Sequence, residues 1–248
     1  MQVSIPVAAI SSLHTNETHN ENWMMMKILG FIWRRITAAL STVLLLVVII
    51  AMVISYRLIT AEQVDDEGRL QNKRDYLAQI AEHKVDGRTA PNIVFILYDD
   101  MGYGDIGAGA ANSSMIATPH IDQLASDGVT LSDFHSPSPV CTPSRAGYLT
   151  GRLAPRAGLP NVVFPSGSTK GLLFSTVAAP GANVRLPAEE ITLADLLQAA
   201  GYATGMVGKW HLGDRSPSLP NDMGFDSCYG ALYSNDMEPF ALYANREI

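Results

Sequence analysis

Cysteine is scarce in this chain: Cys141 and Cys228 are the only two among 248 residues. Two thiols cannot build the disulfide framework of a small secreted scaffold. Neither stands in the CxxC or Cys/His spacing that would hold zinc, and one disulfide between them would need an oxidising compartment. Charge is scarce too. Charged residues make up 17% of the sequence, with 17 Lys and Arg against 24 Asp and Glu, for a net charge of −7. That mildly acidic balance, with no Lys/Arg-rich run to offset it, argues against nucleic-acid binding. An anionic ligand would have to be drawn by local charge and not by the overall field. There is no internal repeat, and the length allows one large domain or two small ones.

Apolar residues, by contrast, reach 47%, and part of them sit in one block. Ile36 to Tyr56 carries no charge and centres on Val43-Leu44-Leu45-Leu46-Val47-Val48-Ile49-Ile50. At 1.5 Å per residue its length is roughly 30 Å, the thickness of a bilayer core. Lys27, Arg34 and Arg35 precede it, whereas Arg57 is followed by Glu62, Asp65, Asp66 and Glu67. The positive-inside rule therefore places residues 1–35 in the cytoplasm, 36–56 across the membrane and the rest outside, in periplasm, lumen or cell exterior. An uncleaved anchor is favoured over a signal peptide, because Ile59-Thr60-Ala61 is a poor cleavage site. Residues 57–90 are rich in charge and amides. They are expected to form a stalk or linker, with Val64, Leu70, Leu77 and Ile80 giving at most a weak amphipathic helix.

A globular region, 91–248, is expected from Pro91 onward. Asn92 to Tyr98 is a continuous apolar run between Pro and Asp-Asp, which reads as a strand buried on both faces of a parallel sheet. Thr118-Pro119 opens a helix that Gly128 stops, and Val129 to Phe134 can be a strand. Pro143 to Thr150 reads as a helix ended by Gly151. Residues 158–190, rich in Gly, Pro and Ser, read as a surface excursion. Thr192 caps a further helix with Asp195 at the capping-box position, and Tyr202 to Val207 follow as a strand. The alternation implies an α/β fold, a mainly parallel sheet with helices on both faces.

Three clusters carry possible chemistry. Asp99 and Asp100 end a strand, where α/β sheets bind ligands. Two adjacent carboxylates suit a hard cation such as Ca²⁺ or Mg²⁺, although an acidic turn would look the same. Cys141-Thr142-Pro143-Ser144-Arg145 sits at the mouth of a helix, where backbone N–H groups and an Arg fork suit a tetrahedral oxyanion. A buried Cys beside a surface Arg is the plainer alternative. Lys209-Trp210-His211, if extended, would point Lys and His to one site and Trp into the core. Lys could grip an anion and His pass a proton, or both could be surface side chains.

In their order, these clusters resemble a known family. Pro-Asn-Ile-Val-Phe-Ile-Leu-Tyr-Asp-Asp-Met-Gly-Tyr-Gly-Asp stands at 91–105 and Thr-Pro-His-Ile-Asp-Gln-Leu-Ala at 118–125. Cys-Thr-Pro-Ser-Arg-Ala-Gly-Tyr-Leu-Thr-Gly-Arg at 141–152 and Gly-Lys-Trp-His-Leu-Gly at 208–213 follow, with Gly-Phe-Asp at 224–226. From about Pro91 to Pro239 the chain resembles the type I, arylsulfatase-like sulfatases of the alkaline-phosphatase superfamily. The resemblance implies a hydrolase of sulfate esters. Cys141 would be oxidised by a formylglycine-generating enzyme to an aldehyde, whose hydrate attacks sulfur through one hydroxyl. The other hydroxyl then loses its proton as sulfate leaves. Asp99, Asp100 and the modified Cys141 would contact Ca²⁺, with Mg²⁺ possible. Arg145 would orient the diol, Lys209 would hold the sulfate, and His211 would hydrogen-bond the diol.

The pattern is incomplete. The family's second Asp-Asn pair, a later Lys and a later His are not identifiable before Ile248, and Asn235-Asp236 is reversed in order and too early. The chain therefore reads as the N-terminal part of a catalytic domain, with its C-terminal portion missing and an incompletely buried sheet. Tyr233 to Asp236 is expected as a loop near the substrate mouth, Cys228 as an apolar filler, and Asn112-Ser113-Ser114 as a glycosylation sequon. The alternatives are an inactive membrane-anchored remnant or sulfated-glycan binder, and a phosphatase or phosphotransferase. The last is disfavoured because position 141 is neither Ser nor Thr.

Overall fold

The computed structural model describes residues 8–60, 63–87, 89–107, 116–177 and 183–248. The chain divides into two compact units, Met1–Thr60 and Ala61–Ile248. The first is the helix α1, Ala8–Thr60, within which Trp23–Tyr56 is long and apolar enough to cross a membrane. Three hydroxyls of its described side chains bond back to the preceding turn. Thr37 Oγ1 donates to Arg34 O, Ser41 Oγ to Thr37 O and Thr42 Oγ1 to Ala38 O, at 2.8–3.1 Å. Such bonds to the preceding turn hide a hydroxyl that hydrocarbon could not satisfy. By length and composition alone, a signal sequence passes the same test.

The second unit begins with α2, Glu67–Ala81, capped by Asp66, whose side chain accepts from Arg69 N. The region expected to be a stalk is thus in part a helix, and it packs on α6, Leu193–Ala199. The helix α3 is Pro119–Asp127, with Pro in its first turn. The helix α4 is Cys141–Thr150, two residues longer at its start than the sequence suggests. It stops where expected, at Gly151, whose φ of +64° is left-handed and costs glycine little. The capping box of α6 forms as read: Thr192 Oγ1 accepts from Asp195 N, and Asp195 Oδ2 accepts from Thr192 N.

The sheet is smaller and more mixed than the sequence implies. Among the described residues it has three strands in the order β1-β2-β3: Gly205–Lys209, Ser227–Ala231 and Leu242–Ala244. The β1–β2 pair is parallel, with Lys209 opposite Ala231, and β3 is antiparallel to β2. Two expected strands do not form. Residues 92–98 and 129–134 belong to no strand, and Val94, Phe95, Val129 and Leu131 are mostly exposed. An apolar run becomes a strand only when a neighbour takes up its backbone N–H and C=O groups, and no described strand does so here. A cavity of about 390 Å³ lies between Ile93, Phe95 and Leu97 and the residues of β1.

Residues 158–190 also depart from expectation. They include the helix α5, Thr169–Val177, and they supply much of the core. Leu159, Val163 and Leu186 are fully buried with Ala146, Trp210, Leu212 and Met223. Irregular backbone here carries widely spaced apolar side chains inward, a pattern that neither helical nor strand periodicity reveals. Trp210 packs edge-on against Phe225, centroids 6.1 Å apart. The sequon at 112–114 lies outside the described residues.

Candidate active site

Residues 209–211 sit at the C-terminal end of β1, where the pairing with the chain after β2 continues. Trp210 N donates to Ala231 O and His211 N to Leu232 O, both at 2.9 Å. That holds Lys209 and His211 at the sheet edge, facing the first turn of α4. Lys209 Nζ comes to 3.3 Å from Cys141 Sγ and also pairs with Asp99. Arg145, one turn into α4, bridges the same group: Nη1 donates to Lys209 O at 2.5 Å and Nη2 to Asp99 Oδ2 at 3.3 Å. Cys141, Arg145, Lys209 and Asp99, which are 110 positions apart at the extremes (209 − 99), thus converge. Lys209 first, then Arg145, holds the Asp99 carboxyl below its ordinary range against the opposing effect of burial.

His211 departs from simple alternation, and its ring turns to Val163 and Tyr233. Its φ is +61°, a left-handed value that costs a non-glycine residue about 1–3 kcal/mol and needs rigid surroundings. Those surroundings are present. Thr142 Oγ1 donates to His211 O at 3.0 Å and accepts from Val163 N at 3.1 Å. The imidazole is fully buried and meets the ring of Tyr233 edge-on at 5.4 Å. Its Nε2 lies 3.1 Å from Val163 O, so Nε2 carries the hydrogen. Its Nδ1 is buried without a partner among the described residues. Burial, opposed by the Val163 bond and reinforced by Lys209 and Arg145, lowers the His211 pKa to about 4. At neutral pH this leaves a neutral ring with a bare acceptor on Nδ1.

Asp100 follows Asp99 with φ +58° and is exposed. Asp99, Asp100 and Cys141 do not form a metal cage: among the described residues no three His, Cys, Asp or Glu side chains gather as a metal would require. The Asp99 carboxylate is engaged by two cations instead. The donor set of the described residues therefore does not by itself fit Ca²⁺, which takes six to eight oxygens.

One feature is not visible in the sequence. Thr142 is a fully buried hub between α4, His211 and Val163, yet nothing marks it apart from its neighbours in the motif. The loop after Leu232 does lie by the site. Ser234 and its own backbone hold Asp236 low, with Lys209 and Lys170 acting in the same direction.

The sulfatase family profile matches residues 91–243, more than half of the chain. This chain belongs to the sulfatase family. Among curated sulfatases it is 45% identical over 147 residues to arylsulfatase G of Canis lupus familiaris, covering 59% of this chain and 24% of that one. It is 44% identical over 151 residues to human arylsulfatase A, covering 60% and 27% respectively. This sulfatase chain thus spans about a quarter of the length of the relatives it matches. A solved structure from a Bacteroides thetaiotaomicron locus for metabolism of multiple glycosaminoglycans is 33% identical, with a TM-score of 0.51. That match covers 63% of this chain and 31% of that one.

Proposed function

We propose that this sulfatase chain carries the nucleophile-bearing half of a sulfuric ester hydrolase site, anchored by α1 with the site outside the cytoplasm. The observation that supports the reading best is the contact of Lys209 Nζ with Cys141 Sγ at the mouth of α4, with Arg145 beside it. One cation, Lys209, meets a nucleophile at a helix N-terminus, and a second, Arg145, is bonded to the Lys209 carbonyl; such a corner suits a tetrahedral dianion. Conversion of Cys141 to formylglycine by a generating enzyme would supply the hydrated aldehyde that attacks sulfur. In that setting Lys209 holds a sulfate oxygen, and Arg145 keeps Lys209 and Asp99 in register. His211, neutral and bearing hydrogen on Nε2, offers Nδ1 as acceptor for a hydroxyl proton at position 141. Asp99 and Asp100 are proposed as part of a Ca²⁺ or Mg²⁺ site whose other oxygens would come from outside the described residues.

A second reading is a membrane-anchored binder of sulfated glycans without turnover, in which Lys209 and Arg145 hold the sulfate at the mouth of α4. The full chain, made with a formylglycine-generating enzyme, should be assayed on an aryl sulfate and the matching aryl phosphate, with Cys141→Ala as control. Sulfate release that Cys141→Ala abolishes is the expected result. Phosphate release alone would establish a phosphatase and sink the proposal. Saturable binding of sulfated glycan without turnover would establish the second reading.

A further inference from the structure

The segment between the apolar helix and residue 91 is expected to be a stalk, yet its side chains fasten to the catalytic unit over about 120 positions of sequence. Gln63 Oε1 accepts from Val184 N at 3.0 Å and Arg185 N at 3.2 Å. Asp65 takes both arms of Arg185, Oδ1 from Nη1 at 3.0 Å and Oδ2 from Nη2 at 2.7 Å, and Oδ1 also accepts from Ala188 N at 3.0 Å. Asp65 and Arg185 are largely buried, at 13% and 14% exposed. One turn into α2, Arg69 pairs with Glu189 and Glu190. Lys73, buried, spends all three ammonium hydrogens, on Ala188 O at 3.2 Å, Glu190 O at 2.8 Å and Asp195 Oδ2 at 2.9 Å. A plain linker has no reason to bury an Asp and a Lys and join them to partners about 120 positions away.

The residues that receive these bonds lead to the site. Arg185 Nη1 donates onward to Ser218 Oγ at 3.1 Å, and Ser218 Oγ to Leu186 O at 2.5 Å. Ser218 O accepts from Trp210 Nε1 at 2.8 Å, and Leu186 N donates to Leu212 O at 2.7 Å. Trp210 and Leu212 are the two neighbours of His211. Both flanks of a residue held at φ +61° are therefore pinned by Ser218 and Leu186, which the Asp65–Arg185 clasp holds in turn.

We propose that residues 63–73 form a strap, with Asp65 a positioning residue that acts through Arg185 and Ser218 to hold the strand end bearing Lys209 and His211. The consequence for catalysis rests on the sulfatase reading above, but the strap itself does not. It is tested without any turnover assay, so the two can fail separately.

The measurement is amide hydrogen exchange of the full chain, read in peptides spanning 205–214 and in α2. Asp65→Asn keeps the shape but loses the charge, and Asp65→Glu is the conservative rescue. Gln63→Ala is a milder cut that should fold even where Asp65→Asn does not. Arg246→Ala breaks an exposed ion pair with Asp222 outside the strap and serves as control. Asp65→Asn is expected to speed exchange at 210–212 by about tenfold or more, with Gln63→Ala smaller in the same direction. Asp65→Glu should restore much of the protection, and Arg246→Ala should leave 210–212 unchanged. If α2 loosens in Asp65→Asn and Gln63→Ala while 210–212 exchanges as in the parent, the segment is a passive appendage and the proposal is wrong.

Discussion

His211 illustrates how one residue's environment sets both chemistry and stability. Burial disfavours its charged form, so its folded pKa of about 4 lies below the ordinary value of 6.5. The unfolded chain then binds the proton more readily, and folding loses stability as pH falls from about 6.5 toward about 4. The loss at the low end is on the order of 3 kcal/mol, at about 1.4 kcal/mol per unit. Denaturant unfolding at several pH values should show this slope in the parent and a flatter one in His211→Gln. Equal slopes would mean that the ring is not held neutral by the fold. Arg145 gives a second residue-scale prediction. Its fork joins Lys209 O to Asp99, and Arg145→Ala leaves Lys209 O without that donor while Asp99 keeps Lys209, at a cost of about 1–2 kcal/mol in the same unfolding assay. Arg145→Lys keeps the charge but not the planar fork, and should recover only part of that.

At the scale of elements, helix ends were readable because their determinants are local. Thr192 with Asp195 and Gly151 after Thr150 act within a turn, and both features form as expected. Thr192→Ala should cost about 1–2 kcal/mol by thermal melting, since its hydroxyl also donates to Met223 O at 2.7 Å. Gly224→Ala should cost more. Its φ is +91°, and a Cβ there would lie 2.2 Å from Asp195 N in the first turn of α6. A variant as stable as the parent would show that this packing is looser than described. Strands were less readable. Residues 92–98 have strand composition, but pairing depends on a neighbour that composition cannot supply. The strap was not readable at all: nothing in Asp65 or Lys73 announces partners at 185 and 195. The site lies between these cases. Each cluster was ambiguous alone, and only the family resemblance joined Cys141 to Lys209, which the fold then places 3.3 Å apart. The left-handed backbone of His211 and the hub at Thr142 depend on contacts with Val163 and so had no local sign.

For the whole molecule, two surfaces shape its behaviour. The apolar stretch Trp23–Tyr56 should keep the chain in the membrane pellet through alkaline carbonate extraction, whereas a cleaved signal would leave residues 61–248 in the supernatant. In the second unit, Ile93, Val94, Phe95, Ile96, Val129 and Val207 are mostly exposed. Such apolar surface is expected to bind a hydrophobic dye in the native state and to accompany a broad unfolding transition. The central claim nevertheless concerns one atom. The mass of the peptide carrying Cys141, taken from protein made in its own host, tests it most directly. A residue lighter than Cys by the change from thiol to aldehyde is the predicted result, and would place the chain before the formylglycine machinery as a sulfatase. An unmodified thiol in folded, membrane-inserted protein would contradict the account and leave a binder in its place.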